Sequence, residues 1–311
     1  MKNNYLKQTL VAGIVVLATY ATTVPAAIAV GGGVVSPVQS PVDPYGLKLA
    51  GPVMLAGSDA AAKSFDQSVL PGLDAFISAK LPDGRDNMNS GIFEVDPNKI
   101  VLASQTAVRA YFVSESGGYA SSIGMNATTP GKDPTSWQNE ISSPASKLIF
   151  PSANSVDDFI VNSPSQVRTA NQPVLPGDFV NLGTFAKGTK LDFFMIANGA
   201  NQSGAPVFST TESLNPDGFK QHVAGFTSHI FAAPKLNSPY IFLAFKDMWG
   251  GGDHDMNDVV IALNVGAATV KSLLATPEPA TWLTLGSFLA LAVWAKRRMD
   301  RSTVVPASAS N

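Results

Sequence analysis

The chain has 311 residues and a formal net charge of -2, with charged residues at only 14%, Gly 26, Pro 22 and no cysteine. That balance excludes a basic nucleic-acid binder and a charge-rich disordered chain. The missing cysteines exclude disulfides, thiolate metal sites and a cysteine nucleophile.

At the start of the chain, Lys2 and Lys7 precede an apolar run over 10–18 that leads through Pro25 to Ala27-Ile28-Ala29. A basic n-region, a short apolar core and an A-x-A site predict a secretory signal peptide over 1–29, cleaved after Ala29. Residues 30–58 are rich in Gly, Pro, Ser and Val, and Pro37, Pro41, Pro44 and Pro52 stop helix and central strand alike. This is expected to be a linker or irregular strap. Over 59–80, Phe65, Val69, Leu73, Phe76 and Ile77 fall at helical spacing, with Pro71 placed to restart a helix in its first turn. A broken helix or helical hairpin is expected, within a helical or irregular lead-in over 59–104.

From Gly91 the texture changes to short apolar runs separated by Gly, Pro, Asn, Asp and Ser. The expected strands are 99–103, 107–114, 146–150, 179–184, 190–197, 240–246 and 258–265. Phe193-Phe194-Met195-Ile196 and Val259-Val260-Ile261 are apolar on consecutive residues, which suits strands buried on both faces. The predicted fold is mainly β: an antiparallel, jelly-roll-like β-sandwich over 105–266 with a short N-terminal helical segment. Residues 267–275 read as a linker.

The stretch between the last two strands is the richest in chemistry. Asp247 is followed by Trp249, three glycines, and Asp253-His254-Asp255-Met256-Asn257-Asp258. Asp253, Asp255 and Asn257 have the 1, 3, 5 spacing by which a tight loop converges oxygens on a hard cation, and the set points to calcium. Asp258 stands at the glycine position of an EF-hand and Asn264 at its closing glutamate, so the remaining ligands fall to Asp247, Asp258, carbonyls or water. The plainer alternative is a turn built by Asp and Asn side chains. Four acids this close repel one another unless a counter-ion is present. Trp249 beside the loop is a candidate stacking platform for a glycan, or else core. Asp83, Asp86 and Asn89 form a weaker candidate for a second cation site.

The chain offers little of the usual catalytic machinery. No G-x-S-x-G elbow exists, and His222 and His229, seven apart without H-E-x-x-H, are expected at the surface or in turns. His254 is expected to face solvent. Gly183 to Lys190 ends in Gly-Thr-Lys rather than Gly-Lys-Thr, which is no phosphate cradle. The adjacent Asp157 and Asp158 would alternate across a strand instead of facing one substrate. No enzymatic activity is expected.

Near the end come Pro277-Glu278-Pro279, Trp282, an apolar stretch over 283–295 with Trp294, and then Lys296-Arg297-Arg298. The stretch is short of the roughly 20 residues of a full span, but interfacial tryptophans and snorkelling basic side chains compensate. The basic cluster predicts a transmembrane helix with a cytoplasmic tail over 299–311 and the body exported across the inner membrane. Pro-Glu-Pro, apolar helix and Arg cluster in this order resemble the PEP-CTERM sorting signal, here over 276–298. The tail running on to Asn311 departs from that pattern. The resemblance implies sorting by an exosortase to the cell surface or extracellular matrix of a Gram-negative bacterium. Loss of 1–29 and 277–311 would remove six of the 21 basic and two of the 23 acidic residues, leaving a net charge of -6.

A second resemblance is carried by Val108 to Tyr119, Leu191 to Gly199, Asn215 to Gly218 and the Gly-Gly-Gly-Asp-His-Asp-Met-Asn-Asp-Val-Val stretch. Together these are similar to the domain of unknown function 4114 over about 105–265. The resemblance implies a β-rich domain with an ion loop at Asp253, Asp255, Asn257 and Asp258, with Met256 where the pattern usually has an aromatic. The expected function is an exported structural or adhesive protein with a calcium-stiffened domain. The alternative is a calcium-dependent, lectin-like module binding exopolysaccharide. No nucleic-acid partner is expected.

Overall fold

In the computed structural model the described residues are 44–86, 95–153, 174–202, 204–220, 222–226 and 238–274. The elements run in the order β1 (Val53–Met54), α1 (Ala60–Ser68), α2 (Leu70–Lys80), β2 (Thr106–Glu115), β3 (Ser122–Thr128), α3 (Trp137–Ser142) and β4 (Lys147–Phe150). Then follow β5 (Phe179–Phe185), β6 (Lys190–Ile196), β7 (Val207–Ser209), β8 (His222–Phe226), β9 (Tyr240–Phe245), β10 (Val259–Asn264) and α4 (Ala267–Leu274). The strands form two antiparallel sheets, one in the order β1-β5-β2-β10-β9-β8 and one in the order β4-β3-β6-β7.

Strand alternation explains how the sheets stack. Val108, Ala110 and Phe112 of β2, Leu243 and Phe245 of β9, and Ile261 and Leu263 of β10 share one buried cluster with Ile123 and Met125 of β3 and Phe193 and Met195 of β6. This is the interior of a β-sandwich. The intervening residues of the larger sheet, Tyr111, Val113, Phe242, Ala244, Val260 and Ala262, lie in a second cluster with Phe65 and Leu73 of α1 and α2. Phe65 stacks on Tyr111 at 3.9 Å and 15°. Strands β9 and β10 are therefore apolar on nearly every residue, because helices cover the face that would otherwise meet water.

The helices stop where the sequence says they should. Asp59 Oδ1 accepts from the Ala62 amide at 2.8 Å as the N-cap of α1, and Pro71 sits in the first turn of α2. Asp59 also receives both guanidinium nitrogens of Arg109 on β2, at 2.9 and 2.8 Å, so one cap ties the helical pair to the sheet. On the far side, Leu148, Phe194, Ile196 and Val207 of the smaller sheet pack with Leu47 and with Ile141 of α3. Leu47 belongs to the expected 30–58 strap, and β1 lies in it too, paired with β5.

Several elements depart from expectation. Residues 99–103 form no strand; Asp96 Oδ1 caps the amide of Asn98 to make a 3-10 turn, Pro97–Lys99, and only Val101 bridges to Lys190. The expected linker 267–275 is largely α4, whose Val270 joins the interior. Strand β3 was not expected because Gly124 and Asn126 are poor strand formers. It persists because the bare Gly124 lets the ring of Phe194 lie across it, in space that a Cβ would occupy. His222 is not a surface residue: it is buried in β8, opposite Phe245. The signal-peptide, sorting-motif and transmembrane segments, with His229, Asn89, Asp157 and Asp158, lie outside the described residues. Among the described residues no helix is long and apolar enough to cross a membrane.

Candidate functional site

The acidic loop joins β9 to β10, and its organising residue is Lys246. The side chain leaves the end of β9 and is only 5% exposed. Its Nζ lies 2.8 Å from Asp253 Oδ1, 2.7 Å from Asp255 Oδ1 and 2.9 Å from Asp258 Oδ1. For three carboxylates to face one ammonium, the chain must double back within a few residues. Gly250, Gly251 and Gly252 do this with φ of 66°, 77° and 53°, a region costly for residues with a side chain. At Gly251 a Cβ would also run into the Phe219 ring.

A second layer holds these groups from outside. Asp255 Oδ2 accepts from the Gly84 amide at 2.8 Å, and Asn257 Nδ2 donates to the Leu81 carbonyl at 2.9 Å. The turn after α2 thus docks on the loop. Asp83 from that turn lies against Asp255, which together with partial burial raises its pKa, and Asp86 reaches His254 Nδ1 at 3.3 Å. Asp83 and Asp86 therefore adjoin the acidic loop. His254 is half-buried and stacked on Phe219 at 5.1 Å, where a purely solvent-facing position was expected. Met256 packs beneath the helices, fully buried, as the apolar anchor of the turn.

Asp247 joins through Asp258. Its amide donates to Asp258 Oδ2 at 2.8 Å, and its own Oδ2 accepts from Ser121 Oγ at 3.1 Å. Burial, and then the adjacent Asp258 carboxylate, push the Asp247 carboxyl up to about 8. Gly117 lies so close that a Cβ there would stand 3.0 Å from both Asp247 Oδ2 and Asp258 Cβ. Burial opposes ionisation of Asp255, but Lys246 and the Gly84 amide outweigh it and hold its carboxyl below the ordinary range. Burial likewise opposes the charge on Lys246, and the three aspartates outweigh that too, holding it above its ordinary value.

The structure thus brings together Asp253, Asp255 and Asp258 on Lys246, with Asp247 beside Asp258. Asn257 is turned toward Leu81, and its Oδ1 is buried with no hydrogen-bond partner among the described residues. Among the described residues no three His, Asp or Glu side chains are grouped as a metal site. Trp249 is not core: it is 61% exposed, next to Met248 at 45%. The mutual repulsion of the acids, evident from the sequence, is met by Lys246, which stands beside Asp247 in the same stretch and carries no local mark of that role. Ser121 carried no signal, because it comes from a different loop.

Comparison with known proteins places part of this region. No curated protein and no solved structure matches the chain. A family model described as "Domain of unknown function (DUF4114)" matches residues 185–266, a narrower span than the resemblance over 105–265. The matched segment holds β6 to β10 and the whole acidic loop. The C-terminal half of the sandwich, with the Lys246 cluster, is thus similar to the DUF4114 domain.

Proposed function

We propose that this chain is an exported, noncatalytic module of the cell envelope or extracellular matrix, a jelly-roll-like sandwich stiffened by calcium at its acidic loop. Sorting would follow from Pro277, Glu278 and Pro279 and the basic Lys296, Arg297 and Arg298, acted on by an exosortase. The observation that carries the calcium reading is an imbalance of charge and oxygen. Asp83, Asp247, Asp253, Asp255 and Asp258 are gathered about the Lys246 ammonium, and among the described residues the buried Asn257 Oδ1 on the same turn has no hydrogen-bond partner. The place for a cation is the Asp247–Asp258 pair, beside Lys246 and not in its stead, with Ser121 Oγ and backbone carbonyls or water completing an oxygen shell.

The test is thermal unfolding of the full-length chain in calcium and in chelator. An ion that binds only the folded loop stabilises by about 2.7 kcal/mol at 100 times Kd. For a domain of this size that corresponds to a rise in Tm of about 5–10 °C. Asp258→Asn should abolish the rise, and a native chain that melts identically in both conditions would remove the reading.

A second reading, calcium-dependent binding of exopolysaccharide, is favoured by the exposure of Trp249 on the same loop. Retention of the chain on exopolysaccharide that is unchanged by Trp249→Ala would dispose of it.

A further inference from the structure

The smaller sheet buries a second polar cluster, on its outer face and under α3. Strands β3 and β6 pair so that Asn126 stands opposite Asp192 and Thr128 opposite Lys190. Directly opposed side chains rise from the same face with Cβ atoms about 5 Å apart. Phe194, two residues along β6 from Asp192, packs with Ile141 of α3, so this is the face that α3 covers. Into the same space α3 sends Glu140, whose Oε1 accepts from Ser209 Oγ of β7 at 3.1 Å. Asn126, Glu140 and Asp192 are all fully buried.

These groups are not satisfied by one another. Glu140 Oε2, both amide atoms of Asn126 and Thr128 Oγ1 have no hydrogen-bond partner among the described residues. Lys190 does not reach Glu140: its Nζ is held 2.6 Å from Asp133 Oδ1 and 3.0 Å from Asp192 Oδ1, as ion pairs at the rim. Orphaned polar atoms in a protein interior are rare, and several from two different elements on one covered face point to an occupant. The available acceptors are two carboxylates, an amide oxygen and a hydroxyl, with no sulfur or imidazole, which is the preference of a hard cation. Water could satisfy the amide and hydroxyl but would leave the second carboxylate without a counter-charge.

We infer that Glu140, Asp192, Asn126 and Thr128 form a buried divalent-cation site of the calcium class, independent of the acidic loop. A metal here would fasten α3 to the sheet, uniting β3, β6 and the helix at one point.

Trp137 begins α3 and lies three residues before Glu140, on the same side of the helix. Terbium bound in place of calcium would therefore be sensitised by its indole. The experiment uses the full-length chain carrying Trp249→Phe, which silences the indole of the acidic loop, and measures calcium by equilibrium dialysis alongside terbium luminescence. Glu140→Gln, nearly isosteric and able to keep the Ser209 bond, should bind one calcium fewer per chain and lose most of the luminescence. Trp137→Phe should lose the luminescence while keeping the calcium. Equal stoichiometry and luminescence in Glu140→Gln and its parent would overturn the inference and leave a water-filled cluster around a neutral acid. Should Glu140→Gln fail to fold, Thr128→Val at the half-buried margin decides: about tenfold weaker terbium binding is expected, and unchanged affinity overturns the site.

Discussion

Replacing Lys246 by methionine removes the cation that faces Asp253, Asp255 and Asp258 while keeping most of the side-chain volume. The three contacts are not equal. Asp253 is 51% exposed, so its pair is screened and contributes less than about 1 kcal/mol. Asp255 and Asp258 are 1% and 4% exposed, and removing their partner leaves two buried charges uncompensated. Breaking a buried ion pair of this kind costs about 3–5 kcal/mol, which lowers Tm by about 10 °C for a domain of this size. Because Lys246 is held above its ordinary value of 10.5, its contribution is fully present below that pH and is lost only as pH rises beyond it. The assay is thermal unfolding of the full-length chain in chelator at pH 7, with Asp253→Asn as a control expected to shift Tm by only a few degrees. Calcium, by restoring positive charge beside Asp258, should narrow the gap between Lys246→Met and the native chain. A Lys246→Met variant melting within about 2 °C of native in chelator would refute the role of Lys246 as the internal counter-ion.

Other expectations concern separate parts of the chain. Burial, with Lys220 adding to it against the weaker opposing effect of Asp96, pulls the His222 pKa down to about 3 from 6.5. The unfolded chain therefore binds the proton first, so His222 lends stability above pH 6.5 that is lost as pH falls toward 3. His222→Leu should flatten the fall of Tm between pH 6.5 and 4.5, and an unchanged slope would mean that the imidazole is not buried neutral. Gly124→Val would drive a branched side chain into the Phe194 ring; a loss of at least about 1–3 kcal/mol in urea unfolding is expected. Phe65→Ala, which empties the stack on Tyr111, should cost about 3–5 kcal/mol in the same assay. In a host with an exosortase, alanines at Pro277, Glu278 and Pro279 should leave the chain untrimmed on immunoblots, and normal trimming would count against the sorting motif.

The sequence by itself settled what depends on neighbours along the chain. Short apolar runs bounded by turn residues located β2, β4, β5, β6, β9 and β10, and helical spacing with Pro71 marked the break between α1 and α2. The Asp-rich stretch was legible as a candidate site because its residues are nearly consecutive. The apolar continuity of β6 and β10 even signalled burial on both faces, although not what would cover them. Tertiary structure decided everything that rests on partners distant in sequence. Strand β3 has weak local propensity and is held by the fit of Phe194 over Gly124. His222 reads as an ordinary polar residue until β8 is placed at the edge of the larger sheet, where burial leaves it neutral. Lys246 becomes a counter-ion only because three glycines fold the loop back upon it, and Ser121 and Gly84 reach the same acids from remote turns. Glu140 and Asp192 lie 52 residues apart in the chain, and no local pattern could have set them in one buried space. Hydrophobic periodicity is a property of a segment, whereas the pairing of buried polar groups is a property of the packed whole, since burial creates the energetic demand for a partner.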